Sequence, residues 1–411
     1  MRRVRASSQV AEQTRFHYAA GPPLHGAQLI MPNAPELHPT LRPDIAPPPG
    51  VQDYVRPFSI GPVRVERPWV LAPMSGVTDS AFRRTVQSAS SGGVGLLVTE
   101  FISVEGLTRK NMKSHMRMAF DAATERPLSV QIFGAEIQRM VDAAVMVESC
   151  GAQVVDINCG CPAPKVVRRG GGAELMRQCD RLGAMVEKVV AAVKVPVTVK
   201  IRSGWSDDCI NAVAIAQRCQ EAGAQMIAVH GRTRAQLYTG RADWQLIDEV
   251  ARAVRVPVIG SGDICTPEEA LWQLRTTAVA GIMIGRAAIM NPWIFGQIED
   301  LVAGRPAREV SNAERLRILR YYRDLEALHV PEHAIPGRLK QLLARMTKGF
   351  AHGGLLREKA MRAHDTAQMF YWIDTFFAAA DADALEEWAL EARAGVAEGS
   401  RDAPVQSPSF V

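Results

Sequence analysis

The sequence has 411 residues, of which 47% are hydrophobic and 22% are charged, with a formal net charge of +5. This composition excludes collagen-like, low-complexity and wholly disordered chains, and the length suits one large domain with a smaller one. No apolar run reaches the roughly 20 residues that a membrane-spanning helix needs, so we expect no membrane partner. The positive charge permits an acidic partner such as nucleic acid without requiring one.

The seven cysteines form an odd set with no Cys-x-x-Cys spacing. This pattern argues against a disulfide framework and against a zinc site. We therefore predict no bound metal and a reducing, cytoplasmic environment. The basic start, with Arg2, Arg3 and Arg5, leaves an organelle-targeting peptide as the alternative.

Residues 1–60 are rich in proline, including the run Pro47-Pro48-Pro49. Because proline fixes φ and donates no backbone hydrogen bond, this stretch disfavours helix and sheet. We predict an extended, disordered N-terminal extension over residues 1–60, and a loose C-terminal tail over residues 396–411.

From residue 61 to residue 305, short apolar runs alternate with longer helical stretches. The runs are Trp69–Ala72, Gly95–Thr99, Leu128–Gln131, Val154–Asn158, Pro196–Ile201, Met226–His230, Pro257–Gly260 and Gly281–Ile284. Continuous apolarity is typical of parallel strands buried on both faces, and parallel strands need helical crossovers. Eight such units predict the α/β class and a (β/α)8 TIM barrel. A doubly wound open sheet is the rival, although no GxGxxG follows the first run.

From residue 311 to residue 395 no strand-like run appears, and the pattern predicts a smaller, all-helical C-terminal domain. The predicted helices are Ala313–Leu328, Pro336–Phe350, Leu356–Phe377 and Asp383–Arg393. Residues 311–363 contain eleven Lys and Arg against five Asp and Glu. A basic surface of this kind either grips a nucleic-acid backbone or is simply solvated.

A polar group follows each predicted strand at its carboxyl end, where a barrel of this kind carries its active site. These ends are Ala72–Gly76, Glu100, Gln131, Asn158–Pro162, Lys200 with Arg202, His230–Arg232, Gly260–Asp263 and Gly285-Arg286. A single such residue can merely cap a strand. The whole ring predicts a site at the barrel mouth.

The last two loops, Ser261-Gly262-Asp263 and Gly285-Arg286, follow the seventh and eighth strands. Glycine-rich turns at this place in a barrel commonly bind phosphate through backbone N–H groups. The guanidinium of Arg286 would complement a phosphate dianion. We therefore predict a phosphorylated cofactor in the mouth.

Gln131, Lys200 and His230 are candidates to contact a flat heteroaromatic ring, because a fixed cation would stabilise the anionic, reduced form of a flavin. Cys161 lies in a Gly-Cys-Pro turn among cationic neighbours. Cations lower the pKa of a thiol, whereas a general acid must keep its proton. The residues alone therefore leave open whether Cys161 is a proton donor or a nucleophile. We interpret Cys159 as packing.

In this order, the motifs resemble the tRNA-dihydrouridine synthases, and within them the bacterial B-like group. The matching stretches are Leu71–Asp79, Phe82-Arg83, Thr99-Glu100, Val130–Gly134, Asp156–Pro162, Lys165-Val166, Gly170–Ala173, Val199–Arg202, Val229–Thr233, Gly260–Ile264 and Ile284–Ala287. The element Asn158-Cys159-Gly160-Cys161-Pro162 is the most discriminating. Ser261 stands where the family commonly has Asn, and Cys159 where it has a larger residue.

The resemblance implies an FMN enzyme that uses NADPH to reduce the C5–C6 bond of a uracil in tRNA. Cys161 would be the acid that protonates C5 after hydride reaches C6. The residues that would bind the flavin are Pro73, Met74, Ser75, Gln131, Asn158, Lys200 and His230, with its phosphate end on Ser261, Gly262, Asp263, Gly285 and Arg286.

The tRNA would be gripped by cations, for which the candidates are Arg232, Arg338, Lys340 and Arg345. We expect a monomer. Two alternatives remain: an FMN barrel that acts on a free small molecule, such as a dihydropyrimidine or dihydroorotate dehydrogenase, and an RNA-binding protein that has kept only the scaffold.

Overall fold

The computed structural model describes residues 50–394. The part of the predicted disordered extension before residue 50, and the predicted tail over residues 396–411, lie outside the described residues. Within the described range, no helix is long and apolar enough to cross a bilayer.

Strands and helices alternate through the first three quarters of the described chain, and only helices follow. The strands are β1 (Phe58–Ile60), β2 (Val63–Val65), β3 (Trp69–Leu71), β4 (Leu97–Val98), β5 (Ile102–Ser103), β6 (Leu128–Phe133), β7 (Val154–Asn158), β8 (Val197–Arg202), β9 (Gly204–Ser206), β10 (Cys209–Ile210), β11 (Ile227–His230), β12 (Val258–Ser261) and β13 (Gly281–Ile284). The helices before residue 310 are α1 (Val51–Tyr54), α2 (Ser80–Ala89), α3 (Val104–Thr108), α4 (Met112–Arg117), α5 (Ile137–Ser149), α6 (Pro164–Val167), α7 (Cys179–Ala192), α8 (Ala212–Glu221), α9 (Trp244–Ala253), α10 (Pro267–Thr276), α11 (Arg286–Met290) and α12 (Ile294–Val302). The later helices are α13 (Asn312–Ala327), α14 (Ile335–Met346), α15 (Gly353–Arg362), α16 (Thr366–Asp381) and α17 (Leu385–Ala394).

The parallel strands close into a barrel. Their order is β3-β13-β12-β11-β8-β7-β6-β4, with β5 paired to β6 beyond β4. A parallel bridge between Val70 and Leu96 joins the first and last strands of this order. The predicted (β/α)8 fold is therefore confirmed, and the doubly wound alternative is wrong because an open sheet would leave these two edges apart.

Alternation along each strand divides the side chains between the barrel shell and its interior. Trp69 and Leu71 of β3 point outward into the large core shared with the surrounding helices. Val70, between them, belongs to a separate interior cluster with Met226 and Met283 from the beginnings or middles of other strands. The interior is thus apolar where the strands begin.

The hairpin of β1 and β2 closes the barrel at the end where the strands begin. Phe58, Ile60 and Val65 are 9%, 0% and 0% exposed and pack into the interior cluster. The prediction of an extended, disordered stretch up to residue 60 is therefore wrong for Val51–Tyr54, which forms α1, and for Phe58–Ile60, which forms β1. The many prolines obscured the apolar alternation of Phe58 and Ile60. These two side chains become buried only because the end of the barrel covers them.

The C-terminal helices pack against the barrel through α2 and α11, and their apolar core is continuous with that of the barrel shell. Polar contacts cross the same boundary, since Trp293 Nε1 donates to Glu314 Oε1 at 2.9 Å. The predicted single helix Leu356–Phe377 is wrong, because Asp365 is extended and its carboxylate caps α16 by accepting from the Gln368 N–H.

A buried ion pair ties α2 to the segment after α4. Arg83 and Glu125 have no exposed side-chain surface, and Arg83 Nε lies 2.5 Å from Glu125 Oε2. Arg83 also donates to the carbonyl oxygens of Thr78 and Ala119, and Ser80 Oγ donates to Glu125. Every charge in this cluster is therefore compensated by a partner.

Removing one member of this pair should leave the other charged and buried. We expect Glu125→Ala to lower the free energy of unfolding by about 3–5 kcal/mol. The matched control is Glu358→Ala, which breaks the exposed pair between Glu358 and Arg362 on α15 and should cost less than about 1 kcal/mol. Urea denaturation measures both; equal costs for the two variants would contradict the importance of the buried pair.

Candidate active site

The barrel mouth gathers most of the predicted site residues at the carboxyl ends of the strands. Gln131, Asn158 and Ser261 are 0%, 6% and 6% exposed, and Lys200 and His230 are half-buried. Since the strands begin among apolar side chains and end among these polar ones, the barrel interior changes character along its axis.

The strand register explains why these side chains meet. Gln131 of β6 pairs with Asp156 of β7, and Asp156 pairs with Thr198 of β8. One pleat further along, Asn158 pairs with Lys200. Residues two apart on a strand share a face, so both levels point into the barrel.

Cys161 is held by its backbone above this polar layer. Its N–H donates to Asn158 Oδ1 at 2.8 Å, and the residue is 8% exposed. Burial raises the pKa of the Cys161 thiol above its usual value, although Arg202 and Lys200 act in the opposite direction. A thiol that keeps its proton at neutral pH suits an acid better than a thiolate nucleophile.

Lys200 and His230 are titratable groups of the mouth whose pKa values are both lowered. Burial, followed by the charge of Arg202, lowers the pKa of Lys200 to about 8, while Asp156 raises it. Burial and the surrounding cations hold the pKa of His230 well below its usual value, so its imidazole is neutral at pH 7. Its Nδ1 atom is buried without a hydrogen-bond partner among the described residues.

The two predicted phosphate loops lie side by side after β12 and β13. Arg286 Nη2 reaches Asp263 Oδ1 at 3.3 Å and so links them. Gly262 has a φ of 130°, and a Cβ there would come 2.5 Å from the Cβ of Ala242. Only glycine fits this turn. Gly262 itself is buried, whereas Gly285 in the neighbouring loop is partly exposed.

Arg232 does not occupy the position expected of a tRNA contact. It is 2% exposed and makes a bidentate pair with Asp263, both distances being 2.7 Å. Further bonds go to the carbonyl oxygens of Thr239 and Gly240. Arg232 and Asp263 therefore shape the loop. The guanidinium of Arg232 compensates the negative charge of Asp263, so that this carboxylate repels a nearby anion less.

The segment after β3 forms the opposite wall of the mouth. Pro73, Met74 and Ser75 are half-buried there. Thr78 Oγ1 accepts from the Met74 N–H at 2.9 Å, and Glu100 accepts from the Gly76 N–H. These two hydrogen bonds fix the backbone on either side of Ser75, in the segment predicted to contact the cofactor.

The remaining candidates for tRNA contact lie on α14. Arg338 is 39% exposed, and its Nη1 lies 3.3 Å from Asp79 Oδ2, so it joins the helical region to the barrel. Lys340 donates to the Met361 carbonyl at 2.8 Å, and Arg345 is exposed. Arg345 is the member of this set that is most accessible to a large ligand.

Two residues at the mouth were given no role by sequence reasoning. Asp156 accepts hydrogen bonds from Gln131 and Thr198, each at 2.5 Å. Arg202 is 4% exposed and donates to the carbonyl oxygens of Gly160, Thr233 and Leu237, each at 2.9 Å. Each residue lies two positions from a predicted site residue on the same strand: Asp156 comes before Asn158, and Arg202 comes after Lys200. This spacing places them on the same face and was the signal that could have identified them.

No group of three or more potential ligands able to hold a metal ion occurs within residues 50–394.

Taken together, the fold and its mouth define a (β/α)8 barrel with a polar site at the strand ends and helices appended at its C-terminal side. A sequence model of the dihydrouridine synthases (Dus) matches residues 70–377, and the chain belongs to that family.

Named relatives agree with this assignment and with the predicted B-like group. The chain is 43% identical to tRNA-dihydrouridine synthase B of Pseudomonas syringae over 274 residues, covering 66% of this chain and 79% of that protein. It is 42% identical to the protein of the same name from Pseudomonas putida over 273 residues, covering 66% and 79%. A probable tRNA-dihydrouridine synthase of Rickettsia bellii is 37% identical, with 72% and 89% covered.

The lowered pKa of Lys200 makes the stability of the ligand-free protein depend on pH. Between about pH 8 and pH 10 the folded state has released this proton while the unfolded state, with a pKa of about 10.4, still holds it. The unfolded state therefore binds more protons, and Lys200 makes the free energy of unfolding rise with pH over this range.

Lys200→Met and Lys200→Arg should both lose this rise, because neither side chain releases a proton there. Urea denaturation at several pH values between about 7 and 10 measures the slope. A Lys200→Met protein whose pH dependence runs parallel to that of the wild type would show that Lys200 does not titrate in this window.

Proposed function

We propose that this chain is a tRNA-dihydrouridine synthase, which uses FMN and NADPH to reduce the C5–C6 double bond of specific uridines in tRNA. The observation that carries the proposal is the placement of Cys161. Its thiol is almost buried, its pKa is raised, and its loop is anchored to a polar layer that includes Lys200. The names of the relatives support the choice of substrate.

The residues of the mouth fit FMN. Nδ1 of His230, which has no hydrogen-bond partner within residues 50–394, offers a hydrogen-bonding atom to a ring, and Lys200 offers a cation. Gly285 leaves its backbone partly exposed beside Arg286, as a phosphate group requires. When bound, FMN would supply hydride chemistry that none of the side chains can provide.

The side chains would then place and protonate the uracil. Cys161 would give its proton to C5, which a buried thiol with a raised pKa retains until needed. Asn158 would fix the Cys161 loop through its carbonyl oxygen, which accepts from Gly160 N and Cys161 N. The neutral imidazole of His230 can donate from one ring nitrogen and accept at the other.

The helical region would grip the tRNA. A uridine in folded tRNA is stacked and must be extruded to reach a barrel mouth, so the backbone has to be held by cations. The excess of basic residues over residues 311–363 and the exposure of Arg345 support this role. We therefore propose a catalytic domain over residues 61–305 and a tRNA-binding domain over residues 311–395, in a monomeric cytoplasmic enzyme.

An FMN barrel for a free small molecule would share the phosphate loops and the cation. It would have no use for a basic helical region joined to the mouth by the pair of Arg338 and Asp79. A non-catalytic RNA-binding protein would have no reason to keep the Cys161 loop bonded to Asn158, with the pKa of Lys200 lowered nearby. Both alternatives are tested by the following variants.

Cys161→Ala should abolish dihydrouridine formation, because the proposed arrangement supplies the proton from this thiol. The protein should retain its flavin, since the flavin contacts lie on other residues. The measurement is dihydrouridine by nucleoside mass spectrometry of tRNA incubated with enzyme and NADPH, beside flavin content by absorbance. The control is Cys150→Ala, which changes an exposed cysteine and should leave turnover unchanged.

Mapping dihydrouridine by position in tRNA from a strain that lacks this gene would identify the target uridine. Full turnover by Cys161→Ala would remove the proposed role of the thiol. An unchanged tRNA profile in a strain without a redundant enzyme would instead remove the tRNA assignment.

Arg345→Glu should raise KM for tRNA several-fold with little change in kcat, because a backbone contact contributes to binding and not to chemistry. The dependence of log KM on log salt should become shallower by about one unit, the value for one phosphate neutralised by one cation. The control is Arg64→Glu, an exposed residue on the hairpin at the closed end of the barrel. Equal effects of the two substitutions would show that only net charge matters.

A further inference from the structure

A line of hydrogen bonds runs from the barrel interior to the loop of Cys161. Asn158 Oδ1 accepts from Cys161 N at 2.8 Å, and Asn158 Nδ2 donates to Gln131 Oε1 at 2.7 Å. Gln131 Nε2 then donates to Asp156 Oδ2 at 2.5 Å. Thr198 Oγ1 donates to Asp156 Oδ1, also at 2.5 Å. All five residues are at most 8% exposed, so water does not compete for these bonds.

Every side-chain donor in this line points towards Asp156. The amides of Gln131 and Asn158 each carry a donor and an acceptor, so either could be turned over in isolation. An ionised carboxylate can only accept, and it therefore fixes which end of the Gln131 amide faces it. Burial raises the pKa of Asp156, whereas its two hydrogen bonds and the charge of Lys200 favour the ionised form. The orientation of Gln131 fixes that of Asn158, and Asn158 then presents its oxygen to the Cys161 loop.

We propose that Asp156 is a positioning residue for the reaction, setting the direction of this line of hydrogen bonds and thereby holding Cys161 in place. The inference rests on the proposed function for the role of Cys161. Asp156 has a second effect on the same site, since its negative charge raises the pKa of the neighbouring Lys200. Asp156 thus acts on both the proton donor and the cation without touching the substrate.

Asp156→Asn keeps the shape of the side chain but allows it to donate. Either end of the new amide can face Gln131, because the Thr198 hydroxyl can accept as well as donate. In the molecules whose amide N–H faces Gln131, the Gln131 amide must turn, and its N–H groups then meet those of Asn158. Asn158 in turn presents donors to the donors of the Cys161 loop, which is released. Gln131→Glu alone places two carboxylates against each other, and in the molecules where both are ionised their repulsion should release the loop as well.

The double variant Asp156→Asn with Gln131→Glu moves the carboxylate one step along the line. The amide introduced at position 156 would donate to one oxygen of the carboxylate introduced at position 131, and Asn158 would donate to the other oxygen. Asn158 would therefore keep its native orientation and hold the loop again. Rescue of this kind is expected from hydrogen-bond direction and not from packing, because all three variants preserve side-chain volume.

The test is the rate at which iodoacetamide alkylates Cys161, followed by peptide mass spectrometry on the purified full-length protein at matched flavin content. We expect at least about a tenfold increase for each single variant, the effect of leaving a buried donor unsatisfied, and a return towards the native rate for the double variant. Ser129→Ala is the matched control: Ser129 is buried on the same strand as Gln131, and its hydroxyl has no hydrogen-bond partner among the described residues.

Native alkylation rates in both single variants would overturn the proposal, as would a double variant as reactive as its parents. If a single variant does not fold by circular dichroism, the double variant still decides, because it retains the carboxylate and the whole line. Alkylation needs neither tRNA nor NADPH, so failure of the proposed function would be recognised separately by the absence of dihydrouridine.

Discussion

The inward-facing side chains of the barrel change from apolar to polar along its axis, and the site depends on that change. Val70, Met226 and Met283 fill the end where the strands begin. Gln131 and Asp156 lie towards the other end, with their polar atoms bonded to one another. Because the strand register places equivalent positions at one level of the barrel, polar residues at a few positions on separate strands form one continuous polar layer.

That layer also organises charge. Lys200, Arg202, Arg232 and Arg286 converge on the mouth, and burial together with their charges holds the pKa of His230 well below its usual value. Their carboxylate partners are placed at the edges of the group, with Asp156 beneath it and Asp263 in the loop after β12. The result is a net positive opening whose cations are mostly fixed by hydrogen bonds, which is the arrangement that favours binding of an anion without reorganisation.

Much of the barrel could be predicted from sequence because each strand is a short apolar run between helical stretches. The hairpin at Phe58–Ile60 could not, since its burial exists only once the barrel does. The break at Asp365 was missed although the sequence carries a capping signal there, with Gln368 three residues after Asp365. The site residues at the strand ends were predicted from the sequence. The role of Asp156 within β7 and the burial of Arg232 were not, because both depend on partners from other parts of the barrel.

The β1–β2 hairpin has a consequence for the kinetics of the proposed reaction. With Phe58 and Ile60 sealing one end, the barrel interior opens at the mouth. In the proposed reaction, a nicotinamide donor and a uridine of tRNA would both enter through that opening, and each would exclude the other while bound there. A barrel with one opening would therefore favour two half-reactions in alternation, with the two substrates competing at high concentrations.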